Sequence, residues 1–370
     1  MKKAESHIKI LMTADTVGGV WTYCMDLCRS LQPATVSIHL VTMGEKLKDS
    51  QRLEADQLPH VTVHETTYRL EWMQDPWNDL EECGEWLLRL EEALQPDVIH
   101  LNCFAYGALP FSAPVVVVTH SDVWSWFLSV KGTPPTQEWE RYYRCVKKGL
   151  KGADKVIAPS KAKRQLVKEI YGNENISVIY NGRDQTFFAP AAKEPFVFSM
   201  GRLWDEAKNI QLVADAAPFI TAPVVMAGEC RFEGNGANTT GTGIHYAGRL
   251  TPPQVTEQLS KAAVYVLPAK YEPFGLSVLE AALAGCALVL GDIPSLREIW
   301  QEAAVYVDTS NAGELATVVN QLFADKERLA SFGRMARERA LQFSAEKMAE
   351  QYRQTYRQLV MQKTKQKETV

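Results

Sequence analysis

The sequence predicts an α/β chain built from two doubly wound domains of parallel strands and helices. Three observations carry this. Short Val/Ile-rich runs alternate with segments of helical period along the whole 370 residues. Several runs are apolar at every position, as parallel strands covered on both faces must be. The alternation breaks once, at a proline-containing stretch, and then restarts.

Residues 7–13 read as a first strand. A helix follows over 19–31, with Val20, Tyr23, Leu27 and Leu31 on one face. Further short strands are expected at 36–42, 98–101, 115–119, 156–158 and 178–179. Helices over 77–94, 135–150 and 161–171 fill the gaps. Residues 187–195 (FFAPAAKEP) carry two prolines and no period, which suits a linker. The second set of strands is expected at 196–200, 224–227, 244–247, 264–267, 287–290 and 304–307. Its helices begin near Asn209, Pro252, Leu276 and Asn311. Two helical segments, 325–341 and 345–362, close the chain before a polar, frayed end. The implied domains are 1–190 and 191–343, with 344–370 as a terminal helix.

The formal net charge is −4, so the overall balance does not call for nucleic acid. No stretch reaches the roughly 18 apolar residues that span a bilayer. The N-terminal apolar run is short and lacks a cleavage pattern, so it reads as a strand rather than a leader. Seven scattered cysteines without a C-x-x-C pair read as reduced, mostly buried thiols of a cytoplasmic protein. Cys24 and Cys28 stand one helical turn apart, but no further ligand type lies near them.

In doubly wound sheets ligands bind beyond the carboxyl ends of the strands, in the crevice there. Five segments end strands with suitable chemistry. Gly18 and Gly19 sit between the first strand and first helix, where a backbone can approach a ligand and free amides can meet an anion. The pattern is not G-x-G-x-x-G, and no acidic residue about 20 positions on completes a dinucleotide fingerprint, which weakens a dehydrogenase reading. Arg202 and Lys208 follow the first strand of the second domain and can neutralise a diphosphate leaving group. Residues 271–280, YEPFGLSVLE, place a Pro-Phe-Gly turn before a helix start that offers an anion site. Their carboxylates suit sugar hydroxyls, Glu272 for a transferred sugar and Glu280 for a ribose. His120 stands where an apolar strand runs out. Gly248 and Arg249 end another strand and can present backbone groups to a base. The glycine-rich stretch 234–243 is followed by a strand rather than a helix and reads as a surface connection. No D-x-D pair, P-loop or nucleophile elbow is present, so no metal is expected and cations with helix N-termini must meet a leaving diphosphate.

Together these motifs resemble the retaining glycosyltransferases of the GT-B fold, specifically family four (glycosyl transferases group 1). The resemblance runs from His7 to Tyr356. It rests on Gly18-Gly19, Ala158-Pro159-Ser160, Tyr180-Asn181-Gly182, Gly201-Arg202 with Lys208, the E-x7-E pair Glu272 and Glu280 around Phe274-Gly275-Leu276, and the segment from Asp292 to Glu298. It implies two Rossmann-like domains facing across a cleft, with the last helix crossing back to the first. The first domain would take the acceptor and the second the nucleotide-sugar donor. It further implies that Gly18 and Gly19 approach the donor, that Arg202 and Lys208 hold the diphosphate, and that Glu272, Phe274, Gly275 and Leu276 line sugar and phosphate. Glu280 would bind the ribose and His120 would sit beside the sugar. His120, Arg202, Lys208 and Glu272 are thus the candidates for the chemical step, with retention of anomeric configuration. Ala269 departs from the serine often found after the strand proline.

The expected reaction is hexosyl transfer from a UDP- or GDP-sugar to a hydroxyl acceptor that is a saccharide, a lipid-linked group or a small molecule. A nucleotide-sugar epimerase is the alternative within enzymes, and a silent sugar-nucleotide-binding partner protein the alternative outside them. Residues 141–168 hold ten basic side chains and one acidic, with aromatics before and among them. That stretch reads as a solvated helix face, or as a weak peripheral contact with an anionic membrane. Residues 65–92 are acidic, so the first domain is not uniformly basic.

Overall fold

The computed structural model describes residues 7–31, 34–229 and 243–368. Most of the glycine-rich stretch 234–243, and Cys230, lie outside the described residues. Two compact units are present. The first comprises Met1–Phe127, Pro134–Gly182 and Ala345–Val370, the second Leu128–Thr133 and Arg183–Ser344.

The first unit contains, in chain order, β1 (Ile8–Asp15), α1 (Gly19–Ser30), β2 (Val36–Met43), α2 (Asp49–Asp56), β3 (Val61–Glu65), α3 (Trp77–Leu94), β4 (Val98–Leu101), β5 (Val115–Val118), α4 (Val123–Lys131), α5 (Glu140–Gly152), β6 (Lys155–Ala158), α6 (Lys161–Tyr171) and β7 (Ile176–Val178). The last residues of α4 group with the second unit. The seven strands are all parallel, in the order β3-β2-β1-β4-β5-β6-β7. Every residue of β4 and β5 is buried; β5 is therefore an unbroken apolar run in the sequence, while β4 carries the buried His100.

The second unit contains β8 (Glu194–Met200), α7 (Ile210–Ala216), β9 (Val224–Ala227), β10 (Ile244–Gly248), α8 (Pro252–Lys261), β11 (Ala262–Leu267), α9 (Leu276–Leu283), β12 (Ala287–Gly291), α10 (Pro294–Trp300), β13 (Val305–Val307), α11 (Ala312–Ala324) and α12 (Lys326–Ala340). Its parallel sheet runs β10-β9-β8-β11-β12-β13. The final helix, α13 (Ala345–Glu368), belongs to the first unit and packs on α1. Tyr352 and Tyr356 are buried there, with the Tyr352 ring 6.1 Å from that of Tyr23.

Several expectations need correction. α2, β3, α4 and α10 were not anticipated. β3 is an edge strand with no fully buried residue, so its sequence lacks the apolar run that betrays a central strand. The single helix expected at 135–150 is a 3-10 turn at Gln137–Trp139 followed by α5. The terminal helix persists to Glu368 instead of fraying from residue 363. The stretch expected as a linker is fastened to the second unit. Lys193 Nζ donates to the carbonyls of Leu259, Ser260 and Ala284 at 3.0, 2.9 and 2.7 Å. Arg337 donates to the carbonyls of Phe188 and Leu283. Side chains meeting carbonyls leave no periodic signature, which is why the segment reads as loose. Among the described residues all six cysteines are free thiols and five are buried.

Candidate functional site

The strand order reverses in each parallel sheet between the strand that begins the unit and a later neighbour: β1 and β4 in the first, β8 and β11 in the second. The carboxyl ends of those strand pairs are where a doubly wound sheet opens to a ligand.

In the second unit β8 leads into residues 201–209 and β11 into 268–275. The two loops are tied together. Lys270 donates its amide to the Ala207 carbonyl at 2.9 Å, and Asn209 Nδ2 donates to the carbonyls of Pro268 and Thr309 at 2.9 and 2.8 Å. Across this seam Lys208 Nζ and the Glu272 carboxylate form an ion pair and hydrogen bond, with side-chain exposures of 19% and 11%. Arg202 pairs with Asp205 at 2.7 Å, and Asp205, nearly buried, also accepts the amide of Ala207 at 3.0 Å. Both cations expected to meet a diphosphate are therefore present, each held by a carboxylate. The Ser295 hydroxyl donates to the Glu272 carbonyl, fixing the acidic residue from α10.

The Pro-Phe-Gly turn ends at Gly275, whose φ of 92° only glycine adopts without strain. A Cβ there would lie 3.3 Å from Glu272 Cγ and 3.2 Å from Val278 Cγ2. Gly275 offers no side-chain cap to the first amides of α9, the helix that follows Glu272. Phe274 is buried, its ring 5.7 Å from that of Phe343. Glu280, one turn into α9, pairs with Arg183 Nε at 3.0 Å. The Arg183 guanidinium also lies 5.2 Å from the centre of the Phe188 ring.

Three glycines close the tips of neighbouring strands. Gly228 donates its amide to the Gly248 carbonyl at 2.8 Å, and Gly201 donates to Ala227 at 3.1 Å. A Cβ at Gly228 would fall 1.8 Å from the Gly201 carbonyl oxygen. Arg249 is exposed and paired with Glu229 at 2.7 Å. Ala269 is wholly buried, so this departure from the family pattern does not line the opening.

In the first unit Gly18 and Gly19 are exposed between β1 and α1, with Gly18 at a φ of 85° and no side-chain cap on α1. Asp15 accepts the Val17 amide at 2.6 Å and sets the turn. His120 lies two residues beyond β5. Its Nε2 stands 2.7 Å from Asn102 Oδ1, and its ring meets that of Tyr23 edge-on at 4.6 Å. Burial, with His100 and the Lys163 ammonium nearby, lowers its pKa to about 3, so the ring is neutral. Two residues on, Asp122 accepts from Lys163 Nζ, Ser125 Oγ at 2.6 Å and Tyr171 Oη at 2.7 Å, all buried. Burial alone would raise the Asp122 carboxyl, but the Lys163 charge and these donors hold it below the usual range.

Sequence reasoning missed Asp205, Asn209, Arg183 and Ser295 in the second unit, and Asn102, Asp122 and Lys163 in the first. Arg183 directly follows the Tyr180-Asn181-Gly182 motif, and Asp122 follows His120 by two. Position beside a motif was the only signal. Within the basic stretch 141–168, Arg141 meets Glu81 at 3.7 Å, Lys168 meets Glu174 at 2.9 Å, and Lys163 is buried on Asp122, while Arg144, Lys147, Lys148 and Lys151 of α5 are exposed. Among the described residues no helix is long and apolar enough to cross a membrane.

Comparison with known proteins places these features. The family model for Glycosyltransferase Family 4 matches residues 17–187, and that for Glycosyl transferases group 1 matches 182–339. The chain is 29% identical over 247 residues to the alpha-maltose-1-phosphate synthase of Mycolicibacterium smegmatis, a match covering 55% of this chain and 62% of that enzyme. It thus spans under two thirds of that relative's length. Sucrose-phosphate synthase from Thermosynechococcus elongatus superposes with a TM-score of 0.80 at 20% identity, over 95% of this chain and 99% of that one. Anabaena HepE in complex with UDP-glucose gives 0.75 at 18% identity, over 94% and 99%. At such identities the likeness is one of fold, two Rossmann-like α/β domains of the GT-B type.

Proposed function

The chain belongs to the glycosyltransferases of family 4 and group 1, and from that membership we propose that it moves a hexosyl group from a UDP- or GDP-sugar to a hydroxyl acceptor, with retention and without a metal. The observation that carries the proposal is the Lys208–Glu272 pair at the switch point of the second sheet, beside the uncapped start of α9.

A nucleoside diphosphate brings about two negative charges to the place where two cations already sit. Lys208 and Arg202 exchange their carboxylate partners for phosphate oxygens, and the α9 amides complete the anion site. Glu272, released from Lys208, accepts hydroxyls of the sugar. Glu280, steadied by Arg183, accepts those of the ribose. Charge that develops on the departing diphosphate meets fixed cations, and losing one such donor typically costs about a hundred- to a thousand-fold in rate. Gly18 and Gly19 let backbone approach the donor, while the neutral His120 accepts from a sugar hydroxyl. Gly248 and Arg249, at the tip of β10, offer backbone groups to the base. Retention follows from the family resemblance, with departure and attack on one face of the sugar.

The test is a panel of UDP-glucose, UDP-GlcNAc, UDP-galactose and GDP-mannose, scored by thermal shift and slow nucleotide release, with and without EDTA. One donor that stabilises the chain and is turned over despite EDTA supports the proposal. Binding with no release in any condition favours a silent sugar-nucleotide-binding protein, and conversion to an isomeric nucleotide sugar favours an epimerase.

A further inference from the structure

Four polar side chains of the first unit form one hydrogen-bonded line. Asn102, just beyond β4, has its Nδ2 2.7 Å from the Thr13 carbonyl oxygen, an atom that can only accept. The amide orientation is thereby settled, and Oδ1 points to the two histidines. Oδ1 is an acceptor, 2.7 Å from His120 Nε2 and 3.3 Å from His100 Nε2. His120 Nε2 must then carry a proton; a proton on His100 Nε2 likewise satisfies Oδ1, with the Tyr23 hydroxyl, 3.5 Å away, left to accept from the same N–H. At the far end His100 Nδ1 is 2.5 Å from the Tyr356 hydroxyl on α13, and since the ring proton is on Nε2, the tyrosine donates. His100, Asn102 and Tyr356 are buried. Among the described residues His120 Nδ1 has no hydrogen-bond partner.

We infer that Asn102 is a positioning residue, which holds His120 as the Nε2–H tautomer so that the Nδ1 lone pair accepts a hydrogen bond from a substrate hydroxyl, and that Tyr356 anchors this arrangement through His100. The inference deepens the proposed transferase reading and rests on it for the identity of the hydroxyl. The line is directional throughout: Tyr356 donates to His100, both histidines donate to Asn102, and Asn102 donates to Thr13. Reversing the His120 tautomer would set an N lone pair against the Asn102 carbonyl oxygen. Burial reinforces the neutral form by pushing His120 to about 3 and His100 to about 4. A hydroxyl that donates to Nδ1 is oriented and made more nucleophilic, without a net charge at the ring.

The test is 15N NMR of the full chain labelled at histidine, with His120 assigned by loss of its signals in His120→Gln, alongside donor turnover. The expected result is a neutral Nε2–H tautomer for His120 and for His100. Asn102→Ala should mix the His120 tautomers and lower kcat about tenfold to a hundredfold while leaving the donor KM nearly unchanged. If Asn102→Ala does not fold, Tyr356→Phe decides, because it removes one buried hydroxyl: it should shift the His100 signals and lower kcat. An Nδ1–H tautomer at His120 in the unaltered chain overturns the inference. So does an Asn102→Ala chain with unchanged tautomer and kcat, or a Tyr356→Phe chain with unchanged His100 signals. Failure of the transferase reading looks different: the unaltered chain then releases no nucleotide from any donor, while the NMR tautomers still decide the role of Asn102.

Discussion

Lys208, from the loop after β8, and Glu272, from the loop after β11, meet across the point where the strand order of the second sheet reverses. Only a parallel sheet with a switch point brings these two loops side by side, although 64 positions separate the residues in the chain. The pair stores a cation and a carboxylate in mutual contact, and a phosphate would part them.

This contact predicts opposite effects on the two halves of a donor. Glu272→Ala removes the carboxylate proposed to hold the sugar and leaves Lys208 without its partner. Nucleoside diphosphate should then bind as well as or better than before, while nucleotide-sugar turnover falls by about a hundredfold or more. Titration calorimetry with UDP and GDP, beside a nucleotide-release assay, separates the two. Equal losses in both would mean that the variant is simply misfolded, and unchanged turnover would remove Glu272 from the site.

Glycine at 275 is required by backbone rather than by space alone. Gly275→Ala places a Cβ at a φ of 92° and within 3.3 Å of Glu272. Stability should fall by about 1–2 kcal/mol, read as a lower denaturant midpoint with an unchanged slope. Donor binding should weaken as well, since the turn that exposes the α9 amides is displaced. Gly228→Ala is harsher: its Cβ would overlap the Gly201 carbonyl at 1.8 Å, and the loop bearing Arg202 must shift. Loss of stability there should exceed that of Gly275→Ala.

Acid should loosen the first unit before it titrates the chemistry. His120 and His100 have native pKa values lowered to about 3 and about 4 by burial, against about 6.5 in an unfolded chain. Between those limits the unfolded state binds more protons, so stability falls as pH drops below about 6.5, at up to about 1.4 kcal/mol per pH unit for each histidine. Asp122, held low by Lys163, adds to the loss at still lower pH. Glu71, whose carboxyl burial raises, works in the opposite sense, and is outnumbered, since burial also lowers His39 and His64. Urea midpoints measured from pH 7.5 to 5 should decline steadily, whereas His120 contributes no inflection to kcat in that range. An inflection that disappears in His120→Gln would contradict the neutral assignment.

The two-sheet plan was legible because central parallel strands such as β5 and β11 are buried at every residue and so show continuous apolar runs. Edge strand β3, half-wet on both sides, carries no such mark. Within the site, Lys208, Glu272, Gly275 and Glu280 were visible because a turn, a helix start and a charge pattern fall close together in the chain. Arg183 and Asn102 were not, since their partners lie 97 and 18 positions away and only the folded sheets bring them together. The ion pairing of Arg202 and Lys208 was equally hidden. Spacing shows that cations end a strand, but not which carboxylates hold them in the absence of a ligand.

The most direct test of the account is steady-state turnover of the donor identified by the panel, compared between the unaltered chain and Lys208→Ala. The account predicts that kcat/KM falls by about a hundred- to a thousand-fold, with the folded state intact by circular dichroism. A Lys208→Ala chain that turns over donor within a few-fold of the unaltered one would contradict the assignment of this switch point as the diphosphate site.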